Sequence, residues 1–183
     1  MSEGMNKIGI ILGSTREGRV SESVGKWLLE QVAKQADALY EMVDLRSYPM
    51  PFLGEKGDLT AIGAWNQKIA SLDGFIFITP EYNHSLPAVL KNALDLGDPK
   101  VWANKAAGIV SYGSAGGARS SEHLRGILSE LQIAHVRTHV LLSLFHDFVD
   151  GSQFKPLDIH GKNIAAMTKQ LNRWATALKP LRK

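Results

Sequence analysis

Cysteine is absent from the 183 residues. That absence removes a disulfide frame, a thiolate metal site and a cysteine nucleophile together, and a cytoplasmic location is the resulting expectation. Long apolar runs are missing too. None approaches the roughly 18 to 20 residues that cross a bilayer, so no membrane association is expected. The opening MSEGMNK is polar and has no signal-peptide core. Charge of one sign is not in excess: Lys179, Arg182 and Lys183 account for the net charge of +3 and leave the rest of the chain about neutral. No basic stripe with interleaved aromatics appears, so no nucleic-acid partner is expected. Repeats, low-complexity tracts and linkers are also lacking, and residues 1–183 are expected to form one domain.

Five apolar runs are present instead: IGIIL (8–12), LYEMVDL (39–45), GFIFIT (74–79), AAGIVSYG (106–113) and AHVRTHVLL (134–142). The first, third and fourth are almost continuously apolar, as strands buried on both faces should be. Helical stripes alternate with them. They run through Val24, Trp27, Leu28 and Val32; Leu86, Leu90, Ala93 and Leu94; Leu124, Ile127, Leu128 and Leu131; and Ile164, Met167, Leu171, Trp174 and Leu178. Strands alternating with helices predict βαβ units, a parallel sheet and a three-layer α/β sandwich. The stretches 47–58 and 145–158 are rich in loop formers and are candidates for lids or oligomer contacts.

The turn after the first run, LGSTREGRVSES (12–23), is where an open parallel sheet binds anions. Its glycines are spaced as in a Walker A loop, but Arg19 and Val20 stand where lysine and a hydroxyl are needed. A Rossmann fingerprint fails at Thr15, where it needs glycine, despite Asp44 near the acidic position. A monophosphate loop suits it better. Ser14, Thr15 and Ser21 offer hydroxyls, and Arg16 and Arg19 offer charge. The plainer alternative is Ser21 as a helix N-cap with both arginines solvated.

Two further stretches complete a pattern. TPEYNHSLPAVLKNALD (79–95) follows the third run, and VSYGSAGGARSSEHLR (110–125) contains the end of the fourth. With GSTREGR, the strings PEYNHSLPAVLKNALD and GSAGGAR resemble the NADPH-dependent FMN reductase family over about residues 6–143. The resemblance implies a flavodoxin-like fold with a five-stranded parallel sheet of order 2-1-3-4-5. It implies FMN as cofactor and NADPH or NADH as co-substrate, with free flavin, quinones, azo dyes or metal oxyanions accepting electrons in a ping-pong cycle. It also implies a homodimer or homotetramer.

Residue by residue, the resemblance gives Ser14, Thr15, Arg16, Arg19, Val20 and Ser21 to the FMN phosphate loop. Pro80, Glu81, Tyr82, Asn83 and Ser85 fall to the isoalloxazine, largely through backbone amides turned outward. Ser111, Gly113, Ser114, Gly116 and Gly117 border the ring from the fourth strand. Arg119 is either a dinucleotide or subunit contact or a solvated helix residue. Lys91, Asn92 and Asp95 read as structural. No catalytic side chain is expected, because the flavin carries the chemistry.

Other chemistries fit poorly. GSAGG lacks the flanking glycines of a nucleophile elbow around either Ser111 or Ser114. HVRTH lacks the glutamate of a zinc helix, and in a strand His135 and His139 would share a solvent face. Trp65 and Trp102 are candidates for either an interface or the core. A flavodoxin-like electron carrier is the rival from another class, though such carriers are usually strongly acidic and this chain is not. A phosphate-ligand enzyme without flavin is a weaker rival.

Overall fold

The computed structural model describes residues 4–182. β1 (Lys7–Leu12) leads into α1 (Ser21–Ala33), and β2 (Leu39–Asp44) runs through a 3-10 turn and a long connection into α2 (Thr60–Ala70). β3 (Gly74–Pro80) precedes α3 (Ala88–Asp95) and the one-turn α4 (Pro99–Trp102). β4 (Lys105–Gly113) precedes α5 (Ala118–Glu130). The chain then forms β5 (Ile133–His135), β6 (Val140–Ser143), a hairpin of β7 (Phe148–Val149) and β8 (Gln153–Phe154), and α6 (His160–Leu178).

The main sheet has the order β2-β1-β3-β4-β5, with every pair parallel. This is the flavodoxin-like α/β arrangement that the sequence predicts. Every residue of β3 and β4 is buried, because helices cover both faces and successive side chains point to opposite layers. Val24 and Leu28 of α1 and Ile164, Met167 and Leu171 of α6 pack with Ile8, Ile10 and Ile76 on one face. On the other, Trp65, Leu90, Leu94, Leu124 and Leu128 pack with Ile11, Phe75 and Phe77.

Three expectations need correction. The run 134–142 is not one strand. β5 pairs with Lys105–Ala107 and β6 with Val110–Gly113, and the chain leaves the sheet between them. Arg125 of α5 explains the break. It donates to the carbonyls of Val136 (3.1 Å) and Arg137 (3.1 Å), satisfying groups that the ladder does not. The same guanidinium lies 2.8 Å from Nδ1 of His135 and 3.4 Å from Nδ1 of His139, so the imidazoles converge on it rather than on solvent.

Of the two readings open for Trp65 and Trp102 the core one holds: both are wholly buried, with ring centroids 5.9 Å apart. Ser21 is the first residue of α1, not its cap; Val20 occupies the cap position.

Both flagged loops are tied down. Asn92 donates to Pro51 O (3.0 Å) and accepts from Leu53 N (3.0 Å). Buried Asp147 accepts from Ser143 N and Leu157 N and lies 2.7 Å from His160 Nε2. Phe52, Leu53, Leu59 and Phe145 nevertheless stand exposed.

Candidate functional site

β1, β3 and β4 end at one edge of the sheet, with Leu12 beside Ile78 and Pro80 beside Tyr112. Three loops therefore meet where an open α/β sheet binds ligands. The first leaves β1 at Gly13, whose amide donates to Ile78 O (2.8 Å). A Cβ at Gly13 would lie 2.7 Å from that same carbonyl, so only glycine lets the backbones approach.

The arginines of this loop do not act alike. Arg19 is buried, and its guanidinium donates to Ser14 O, to Glu22 and to both carboxylate oxygens of Asp44. Arg19 was expected to contact the phosphate; instead its donors are spent beneath the loop. Asp44 closes β2 opposite Leu12, which places its carboxylate under the loop. Burial pushes that carboxyl up, but hydrogen bonds from Arg19 and Arg46 N and the two positive charges outweigh it and hold it below its usual range. Arg16, by contrast, is exposed.

Ser14 Oγ lies 2.9 Å from the hydroxyl of Tyr82, joining the first loop to the one after β3. Ser21 Oγ is buried beside the Tyr112 phenol, with no protein atom in hydrogen-bonding geometry to it. Such orphans are rare and call for an explanation. Among the described residues, the amides of Thr15, Arg16, Glu17, Gly18, Ser21 and Glu22 also find no backbone acceptor.

The second loop differs from the expected one. Glu81 N donates to Tyr112 O (2.8 Å), while Tyr82 and Ser85 exchange backbone bonds of 2.9 and 3.1 Å. The amides of Glu81, Tyr82 and Ser85 are thus used internally, and those of Asn83 and His84 find no backbone acceptor among the described residues. Asn83 (φ 47) and His84 (φ 73) are both left-handed, the signature of a type I′ hairpin turn. Two consecutive non-glycine residues in that region store strain of the kind that gathers at functional sites.

The Glu81 carboxylate accepts from Arg119 N (3.1 Å) and from the Arg119 guanidinium. Burial raises its pKa, but these bonds and the Arg119 charge prevail and hold it below the usual carboxylate range. Arg119 therefore ties the β3 loop to the start of α5. Ser85 Oγ lies 3.0 Å from His123 Nδ1.

The third loop turns on Gly116 (φ 68) and Gly117 (φ 71), where a Cβ on Gly117 would lie 2.7 Å from Tyr112 N. Gly113 needs room rather than a positive φ, since its Cβ would press on Glu81 Cβ at 3.0 Å. Ser111 Oγ donates to Gly116 O (2.9 Å), so Ser111 shapes the loop, while Ser114 is exposed at its tip. Burial pushes the Tyr112 phenol far up, and it stays neutral.

Lys91 and Asp95 pair at 2.7 Å, and with Asn92 they are structural, as the sequence suggests. Arg46 was not foreseen. It follows β2 and donates to Thr15 O (3.2 Å) and Arg16 O (2.7 Å). It also borders a cavity of about 300 Å³ with Thr15, Tyr48, Met50, Phe52 and Val89. Only a charged residue two positions past a strand that ends beside β1 could have signalled it.

The three loops thus meet at one edge of the sheet: the first carries amides without a backbone acceptor, the second a left-handed turn, and the Ser14–Tyr82 and Glu81–Arg119 contacts join them to each other and to the glycine loop. A model of the family described as NADPH-dependent FMN reductase matches residues 6–147. The chain belongs to this family.

Relatives of this FMN reductase family member include an NAD(P)H-dependent FMN reductase of Schizosaccharomyces pombe. It is 32% identical over 179 residues, covering 92% of this chain and 88% of that one. A quinone reductase of Escherichia coli K12 is 31% identical over 140 residues, covering 70% of this chain and 71% of its own. Among solved structures, the flavoenzyme NAD(P)H:(acceptor) oxidoreductase FerB of Paracoccus denitrificans has a TM-score of 0.72 at 19% identity. It covers 93% of this chain and 97% of its own, a likeness of fold. Membership in the FMN reductase family makes this chain an oxidoreductase that uses FMN and NAD(P)H. No helix among the described residues is long and apolar enough to cross a membrane.

Proposed function

We propose that residues 1–183 form one domain that passes electrons from NAD(P)H to a small-molecule acceptor through FMN held where the three loops meet. Quinones, free flavin, azo dyes and metal oxyanions are the acceptor classes. The observation that carries the reading is the buried, unpartnered hydroxyl of Ser21, set at the first turn of α1 beside a loop rich in unengaged amides. A phosphate dianion satisfies such a set.

Ser14, Thr15, Arg16 and Ser21 would hold the phosphate, with Val20 shaping the turn. Pro80, Glu81, Tyr82, Asn83 and Ser85 would border the ring on one side, with the amides of Asn83 and His84 as donors. Ser111, Gly113, Ser114, Gly116 and Gly117 would border the other side. FMN bound there supplies the two-electron redox chemistry. The chain's own work is to fix the loops. The Glu81–Arg119 pair and the Ser14–Tyr82 bond do so without placing a mobile charge beside the ring.

Nicotinamide and acceptor share one open face and take turns, which gives a ping-pong cycle. A homo-oligomer in the cytoplasm belongs to this reading, supported by the exposed apolar Phe52, Leu53 and Leu59.

Anaerobic NADPH, added without an acceptor, should bleach the visible flavin band of the FMN-loaded protein in one stoichiometric step. With a quinone as acceptor, steady-state double-reciprocal lines should be parallel. Lines that intersect across acceptors would overturn the shared site. Failure of both NADPH and NADH to bleach the protein would overturn the reductase reading and favour an electron carrier.

A further inference from the structure

Two arginines, buried Arg19 and exposed Arg46, hold carbonyls of the first loop, and neither guanidinium needs to touch an anion to prepare its site. Arg19 holds the carbonyl of Ser14, and Arg46 holds those of Thr15 and Arg16. Both arginines are organised by one residue. Asp44 accepts from the Arg19 guanidinium through both carboxylate oxygens and from Arg46 N at 2.9 Å. Glu22 adds a second carboxylate, 2.7 Å from Arg19 and 3.4 Å from Arg46.

A trans peptide sets each carbonyl antiparallel to the amide of the next residue. Tying the carbonyls of residues 14, 15 and 16 toward β2 therefore turns the amides of Thr15, Arg16 and Glu17 away from β2. That is the β3 side, because β1 lies between β2 and β3. It is also the side from which Tyr82 reaches Ser14. The amides of these three residues find no backbone acceptor among the described residues.

We propose that Arg19 and Arg46 are positioning residues for an anion. They grip three consecutive carbonyls from the β2 side so that three consecutive amides present themselves on the β3 side as a preformed nest. The inference rests on the reading that this loop takes the FMN phosphate. The design separates two tasks. Arg16 supplies charge that can adjust to the ligand, whereas Arg19 and Arg46 are tied to loop carbonyls, supply shape, and have their own charge largely balanced by Asp44 and Glu22. A fork is required for this, since one guanidinium must reach two neighbouring carbonyls at fixed spacing, and an ammonium on a flexible stem does not.

The test compares Arg46→Lys and Arg46→Gln with wild type, each as flavin-stripped full-length protein titrated separately with FMN and with riboflavin, which lacks the phosphate. Positioning predicts that both variants lose FMN affinity about tenfold, that lysine does not rescue, and that riboflavin affinity is unchanged. The amide resonances of Thr15, Arg16 and Glu17 should shift on adding FMN to wild type, and these shifts should shrink in both variants.

Rescue by lysine would show that Arg46 acts as a charge and would overturn the proposal, as would unaltered FMN affinity in both variants. Wild type binding FMN and riboflavin equally well would instead overturn the phosphate reading of the loop itself. Arg19→Lys extends the series. If that variant does not fold, because Asp44 and Glu22 lose a buried partner, the Arg46 pair still decides.

Discussion

The hydroxyl of Tyr82 lies 2.9 Å from the hydroxyl of Ser14, although the two residues are 68 positions apart in the chain. The contact links the loop after β1 to the loop after β3, so the two loops are set relative to each other by side chains. Tyr82→Phe removes the bond and keeps the ring. A neutral hydrogen bond contributes about 0.5–1.5 kcal/mol, so FMN affinity should fall roughly two- to tenfold. Fluorescence titration of the apoprotein measures this, and an unchanged affinity would show that the bond orients nothing.

Tyr82→Ala should alter the flavin spectrum and slow reduction by NADPH while leaving the apoprotein's thermal stability almost as it was, because Tyr82 is only half-buried. Leu90→Ala should do the opposite. Leu90 is wholly buried on the sheet face beside Gly13. Truncating it should cost about 2–5 kcal/mol through a cavity. Urea unfolding of both variants provides the comparison, and equal losses would make Tyr82 a packing residue.

Gly117→Ala should damage the site and the fold together. The residue has φ 71, and an added Cβ would lie 2.7 Å from Tyr112 N and 2.8 Å from Ser111 Cβ. Strain of about 1–3 kcal/mol from the backbone alone is expected, with more from the clash. Gly126→Ala, on the same stretch of chain but with open space around its Cβ position, is the control. Thermal melts of the pair should separate clearly. If they coincide, the loop is softer than its hydrogen bonds imply.

The half-buried His135 and His139 give the stability a pH dependence. Burial, then the Arg125 charge, holds both below the ordinary histidine range, against a smaller opposing effect of Glu122. In the unfolded chain they titrate near about 6.5. As the pH falls through that value the unfolded state takes up protons that the folded state refuses, so stability declines. Above about pH 7 their contribution is present in full and flat. Melting temperatures of the apoprotein from pH 5 to 8 should rise with pH in the lower half of that window. A His135→Gln/His139→Gln double variant should show a shallower rise, and identical slopes would refute the linkage.

Much of this was readable without coordinates. The apolar runs at 8–12, 74–79 and 106–113 are buried as read, because a strand covered on both faces has no freedom to be polar on either. The run 134–142 misled because its β-branched and apolar content says nothing of a guanidinium arriving from α5. Arg125 supplies the hydrogen bonds that let the chain step out of the sheet between β5 and β6. Trp65 likewise carries no mark of its burial in the sequence. Its indole N–H finds Ala93 O at 2.8 Å only because the fold brings Trp65 of α2 against α3.

Local chemistry alone determined the strand–helix alternation, the glycines at the turns and the strings that mark the family, since each depends on residues close in the chain. The tertiary structure decided which polar groups are spent and which remain. Arg16 and Arg19 are three residues apart and alike in charge, yet one is exposed and the other is buried against Asp44, which β2 brings from 25 positions away. A charge takes its role from the partner that desolvates it, and that partner is fixed by the order of strands in the sheet.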